Sequence, residues 1–305
     1  MAKTVRETIK NIIRNHLKKK EGKVFGQCLT AVGWVGGTLP ELYEKDGMIE
    51  LSMADVAGGG IVTGSALMNE KPIYVIRYQG FNWYNAPMIV NYAAKSKELF
   101  NTPCPVFVRG IGMEGAIGPV AGSSHHSLYY RMPGVKIVSP MTPNEYKKIY
   151  KSFMNEKEVY YVSEHRGSFN NTKELVDDIK GKKDFVIIAI SITRFEAIKV
   201  KKILEEKGYK IGIIHVLWIK PFKISKKAIK CISNSKFGAM ILDDDYVDGI
   251  SNSLANKINH LTNKKIFTMG LLNKSAGFHK RADNLPPNYN QISKNILKIF
   301  KYAKK

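Results

Sequence analysis

The feature that most restricts what this chain can fold into is an alternation. Short apolar runs, "PIYVIRY" (72–78), "PVFVRG" (105–110), "VKIVSP" (135–140) and "VYYVSE" (159–164), are separated by stretches with helical spacing such as "APMIVNYAAKSKELF" (86–100) and "TPNEYKKIYKSFMNE" (142–156). Runs this short and this apolar read as strands buried on both faces, and helices between them supply the crossovers of a parallel sheet. Thr142 followed by Pro143 marks a helix start, with Thr as the cap and Pro at the first helical position. A polar stretch, "RGSFNNTKELVDDIKGKKD" (166–184), interrupts the pattern. It restarts with "FVIIAIS", "FEAIKVKKILEEKG", "KIGIIHVLW", a helix from about Lys226, and "GAMILDD". The expectation is two parallel-sheet α/β domains, at residues 1–175 and 184–305, the second smaller than the first.

Composition narrows the function classes. With 305 residues and 44% apolar content, the chain can bury two cores. No run reaches the roughly 18–20 apolar residues that span a bilayer. The start, "MAKTVRETIKNIIRNHLKKK", lacks the apolar core of a secretory signal. It places Val5, Ile9, Ile12, Ile13 and Leu17 on one helical face, as an amphipathic surface helix does. Cys28, Cys104 and Cys231 are scattered, with no C-x-x-C pair, so neither a zinc site nor a disulfide framework is indicated. A cytoplasmic protein with no membrane partner is expected. The net charge of +22 raises nucleic-acid binding. The lysines, however, interleave with Glu, Asp and Ile on helix faces, and no DNA- or RNA-binding motif accompanies them, so no nucleic-acid partner is expected. "DDDYVDG" (243–249) fails as a calcium loop, because Tyr246 and Ala255 fall where ligands are required. No metal ligand set is expected in this chain.

Three segments carry chemistry. In "SMADVAGGGIVTGSAL" (52–67), Asp55 precedes three consecutive glycines, each costing a helix about 1 kcal/mol relative to Ala. Small residues admit a close neighbour, either another helix or a flat ligand, and Asp55 is either a helix cap or a proton-handling group. In "RYQGFNWYNAP" (77–87), Phe81, Trp83 and Tyr84 follow a strand end. They pack in a core or offer a stacking platform at the carboxyl edge of the sheet. In "GMEGAIGPVAGSSHHSLYY" (112–130), His125 and His126 close a Gly- and Ser-rich loop. Either imidazole could move protons near neutral pH, and either could be inert.

In this order and spacing, the segments resemble the pyrimidine-binding β subunits of thiamine-diphosphate enzymes of the 2-oxo acid dehydrogenase and transketolase type. "TVRETI", "DVAGGGIVTGSAL", "MIVNYAAK", "PGVKIVSPMTPNEYKKIYKSFM" and "HVLWIKPF" all look like segments of such chains. The last lies in a domain resembling the transketolase C-terminal domain. The resemblance implies thiamine diphosphate bound between two subunits, with a β-subunit glutamate at N1′ of the aminopyrimidine. Asp55 stands at that position, Phe81 where an aromatic ring stacks on the pyrimidine, and Gln27 near a position that is usually acidic. Gly58 begins the small-residue approach to the cofactor, and His125 or His126 corresponds to the active-site histidine.

Two departures have consequences. Asp55 is one methylene shorter than glutamate, which sets its carboxylate back on the order of 1.5 Å. A misplacement of about 1 Å can cost roughly a hundredfold in rate. The chain also lacks the GDG motif through which this family holds magnesium and diphosphate; "KDG" (45–47) and "VDG" (247–249) stand in the wrong context. The resemblance therefore implies an α subunit carrying that motif and Mg2+, a β–β contact in a heterotetramer, and a lipoyl-bearing acyltransferase as a further partner. The implied reaction is decarboxylation of a 2-oxo acid with acyl transfer. A ketol transferase or carboligase of specialised metabolism, and a non-catalytic β-like scaffold, are the alternatives.

Overall fold

The strands form because their residues have nowhere else to go: Phe107, Val108, Tyr160, Tyr161, Val162, Phe185, Ile187 and Ile188 are all buried. The computed structural model describes residues 2–30, 34–113, 123–276 and 284–303. Among these, the strands in chain order are β1 (Gly22–Gly26), β2 (Met48–Glu50), β3 (Lys71–Ile76), β4 (Phe107–Gly112), β5 (Val135–Val138), β6 (Val159–His165), β7 (Phe185–Ile190), β8 (Ile211–Val216), β9 (Trp218–Lys220), β10 (Ala239–Tyr246) and β11 (Ile266–Leu271). The chain divides into two compact units, Met1–Glu174 with Ile219–Pro221, and Leu175–Trp218 with Phe222–Lys305.

The first unit holds a seven-stranded sheet in the order β2-β1-β3-β4-β6-β5-β9. The pairings from β2 through to β5 are all parallel. Parallel strands put all their carboxyl ends on one edge, which is where open α/β sheets bind ligands. Here that edge collects the residues after β1 (Gln27), β3 (Arg77 to Phe81) and β6 (Arg166), together with the segment between β2 and the helix that Asp55 begins.

One ionic pair lies inside this sheet. Arg109 on β4 reaches Glu164 on β6 through Nε–Oε1 at 2.6 Å and Nη2–Oε2 at 2.8 Å, and Nη2 also donates to Thr38 Oγ1 at 2.9 Å. Both charged side chains are buried, so the two-pronged geometry offsets the cost of taking them out of water.

Two of the helices start where the sequence signals them. Thr4 and Glu7 form a reciprocal capping box on the helix Val5–His16, which buries Val5, Ile9 and Ile13. Thr142 accepts from Glu145 N, and Pro143 opens the helix Pro143–Asn155. The helical stretch expected over 86–100 begins earlier, at Asn82. It takes in Pro87 and widens into a π-helical turn over Ile89–Ala93 before continuing to Phe100. β1, β2 and β11 lie outside the strands expected from the sequence. β2 is only three residues long, too short for a period to show.

The second unit is a four-stranded parallel sheet in the order β11-β10-β7-β8. Its core sets Phe185, Ile187 and Ala189 of β7 against the helices Thr193–Glu205 and Tyr289–Tyr302, through Ala197, Val200, Leu204, Ile292, Ile296 and Phe300. Among the described residues, no helix is long and apolar enough to cross a membrane.

Candidate active site

Asp55 is the first residue of the helix Asp55–Leu67, and the preceding Ala54 offers no side-chain cap. Its carboxylate takes side-chain amides. Oδ1 accepts from Gln27 Nε2 at 3.0 Å and from Asn85 Nδ2 at 3.1 Å. The cap reading of Asp55 therefore does not describe how its side chain is used. Gln27, Asp55, Tyr74, Val75, Ile76, Arg77, Phe81 and Asn85 line one narrow cleft at the carboxyl edge of the sheet. Gln27, Asp55 and Phe81, far apart in sequence, thus meet at one place.

The glycines of this helix divide by position. A Cβ on Gly58 would lie 3.1 Å from the Tyr74 hydroxyl, and one on Gly59 would lie 3.1 Å from both Asn85 O and Met88 Cβ. A Cβ on Gly64 would meet nothing within 4 Å. The space beside Gly58 is taken by Tyr74 of the same chain, and Gly58 does not itself line the cleft. Its smallness lets the Tyr74 hydroxyl come close, as that of Gly59 does for the helix Asn82–Met88.

Around the cleft several polar groups are paired with one another. The Tyr74 hydroxyl donates to Asn85 Oδ1. Burial first, and the nearby Asp55 charge second, push the Tyr74 phenol well above its ordinary range, so it stays protonated and remains a donor. Arg77 extends Nη1 to Cys28 Sγ at 3.3 Å and lies 6.0 Å from the Phe81 ring centroid, a cation beside the aromatic face.

The two histidines occupy different surroundings. His125 is half-buried. Its amide donates to Gln79 Oε1 at 2.6 Å, its Nε2 lies 3.0 Å from Ser123 Oγ, and its ring meets Trp83 edge-on at 6.5 Å. His126 is buried, with Nδ1 3.2 Å from Ser163 Oγ. Much of the loop that was expected to carry them, residues 114–122, lies outside the described residues.

Gln79 is a residue that motif reading passes over. It is fully buried, and its amide nitrogen donates to Gly110 O at 3.2 Å and Ser163 Oγ at 2.9 Å, while its oxygen accepts from Tyr161 OH and the His125 amide. It ties the turn carrying Phe81 to β4, β6 and the histidine segment. Gln79, Asn82 and Asn85 are three buried amides at a spacing of three. That spacing, inside an aromatic run, was the available signal, since amides there must find partners.

The cleft supplies a carboxylate, an aromatic ring and a cation at the edge of a parallel sheet, and His125 and His126 are not among its lining residues. Such a donor set fits the pyrimidine end of thiamine diphosphate. Similarity to known proteins extends over most of the chain. The chain is 23% identical over 261 residues to the 2-oxoisovalerate dehydrogenase subunit beta of Bacillus subtilis, covering 78% of this chain and 79% of that protein. It is 28% identical over 252 residues to the pyruvate dehydrogenase E1 component subunit beta of Mesostigma viride, covering 74% and 75%. In structure it resembles a split-gene transketolase described as an inactive β4 tetramer, with a TM-score of 0.74, 12% identity and 99% of both chains covered. Residues 4–171 match the model for the transketolase pyrimidine-binding domain, and with more than half of its length so matched the chain belongs to that family.

Proposed function

We propose that this chain is the β-type subunit of a two-subunit, thiamine-diphosphate-dependent enzyme of the cytoplasm, one that acts on a 2-oxo acid and passes on the acyl group. The observation that carries the reading is the Asp55 carboxylate, held by Gln27 and Asn85 in a cleft with Phe81 rather than spent on backbone amides. The names of its relatives, β subunits of 2-oxo acid dehydrogenases, support the substrate class and the need for an α partner. When bound, the cofactor supplies a carbon nucleophile and an electron sink. Asp55 would hold a proton against its pyrimidine ring, and Phe81 would cover one face of that ring and exclude water. His125 and His126 are the candidate groups for moving protons on the substrate side. The partner would supply the magnesium and diphosphate contacts that this sequence lacks, in a heterotetramer with a β–β contact.

The test is turnover by the chain co-expressed with its α partner, assayed with branched and unbranched 2-oxo acids against an artificial electron acceptor, and with ketose donors in parallel. Asp55→Ala should lower kcat/KM by about a hundredfold or more, the range of a lost acid–base group. Unchanged turnover would leave the scaffold reading. Activity confined to ketoses would move the enzyme to ketol transfer, and release of the acyl group to a lipoyl-bearing acyltransferase would extend the assembly.

A further inference from the structure

The structure treats the two oxygens of Asp55 differently. Oδ1 accepts both amides, at 3.0 and 3.1 Å, while Oδ2 makes no hydrogen bond among the described residues. A side chain on a single methylene has two torsions, and two donors fixed on one oxygen set both.

Neither donor is free to swing. Asn85 is 1% exposed, its Nδ2 also donates to Phe81 O at 3.0 Å, and its Oδ1 is taken by the Tyr74 hydroxyl. With that oxygen facing a phenol proton, the amide must present nitrogen to Asp55. Gln27 Nε2 donates in addition to Ser52 O at 3.2 Å, which anchors it to the segment leading into the helix. The two glycines matter here: a side chain on Gly58 would displace the Tyr74 hydroxyl, and one on Gly59 would push back the backbone of Asn85. Two elements and two glycines are therefore committed to one carboxylate oxygen.

We propose that Gln27 and Asn85 are positioning residues, an amide clamp that occupies Oδ1 and leaves Oδ2 as the one oxygen of Asp55 able to share a proton with a ring nitrogen in the cleft. The clamp rests on the reading of the cleft as a pyrimidine site and adds to it a cause for the ring's recognition. With N–H donors filling Oδ1, a proton on the carboxyl group resides on Oδ2. Fixing the short side chain in this way gives a definite geometry to an acid one methylene shorter than the family's glutamate. Gln27 contributes by being an amide: an acid in its place would set a second negative charge beside Asp55.

The test compares two ligands in the assembled complex by fluorescence titration: thiamine diphosphate, and its analogue with carbon in place of ring nitrogen N1′. The unsubstituted protein should prefer the nitrogen ring by at least about tenfold, the range for a hydrogen bond involving a charged group. Asn85→Leu and Gln27→Leu should each bring that preference below about threefold, with the carbon analogue bound nearly as tightly as before. A merely structural role would weaken both ligands equally. Equal weakening, or a preference kept intact in both variants, overturns the clamp while leaving the pyrimidine site standing. Gln27 is half-buried at a strand end, so its variant carries the test if Asn85→Leu does not fold. Failure of the unsubstituted complex to bind either ligand, or equal binding of both, would remove the pyrimidine site and the clamp with it.

Discussion

Three aspartates near the end of one strand and a single aspartate at the start of a helix are used in different ways in this molecule. In the second unit, Asp243, Asp244 and Asp245 close β10 and are all buried. Asp243 Oδ2 accepts from Ser251 Oγ at 2.9 Å, Asp244 Oδ2 from Ser191 Oγ at 2.8 Å, and Asp245 Oδ1 from Tyr246 N at 2.7 Å. In the first unit, Asp55 stands alone and half-buried, lining a cleft, with one oxygen accepting two side-chain amides. The difference lies in who satisfies the oxygens. Serine hydroxyls and a backbone amide bond the β10 aspartates, whereas two side-chain amides share one oxygen of Asp55.

The contrast can be broken by exchanging the measurements. Asp55→Asn should cost turnover much as Asp55→Ala does, yet shift unfolding free energy by no more than about 0.5 kcal/mol, since its Oδ1 can still accept from Gln27 and Asn85. Asp244→Ala should do the reverse where stability is concerned. It leaves the buried Ser191 hydroxyl without that acceptor and should lower the unfolding free energy by about 1–3 kcal/mol in a urea titration. An Asp55 variant that unfolds early, or an Asp244 variant as stable as the parent, would erase the distinction.

A smaller effect sharpens the comparison inside the helix that Asp55 begins. Gly59→Ala sets a methyl against Asn85 O and Met88 Cβ, a contact at 3.1 Å, so overpacking should cost about 1–3 kcal/mol despite the better helix propensity. Gly64→Ala meets nothing within 4 Å of this chain and should add up to about 1 kcal/mol to its stability. Thermal unfolding of the two variants beside the parent checks both signs. A Gly64 variant that is stable by itself yet fails to assemble with the α partner would place that face of the helix in the subunit interface.

Much of this was legible in the sequence. The buried strands β3, β4, β5, β6 and β7 are apolar for several residues in succession, and Thr142–Pro143 marks its helix start without ambiguity. Asp55 and Phe81 stood out because a lone acid and an aromatic cluster each followed a recognisable break. Gln27 was placed by resemblance, and its bond to Asp55 could not have been read from the chain, since 28 positions separate them. Asn85 and Gln79 were hidden by ordinary-looking surroundings: an amide declares its partner only when the neighbouring strands are in place. The glycines at 58 and 59 were correctly flagged as sites of close approach, but their neighbours proved to be Tyr74 and Asn85 of this same chain.

The most direct measurement is an experimental structure of the assembled complex with thiamine diphosphate and magnesium bound. The aminopyrimidine should lie against Phe81 with a ring nitrogen within hydrogen-bond distance of Asp55 Oδ2, while Gln27 and Asn85 remain on Oδ1. A cofactor ring seated elsewhere, or an Asp55 carboxylate turned back onto the amides of its own helix, would contradict the account.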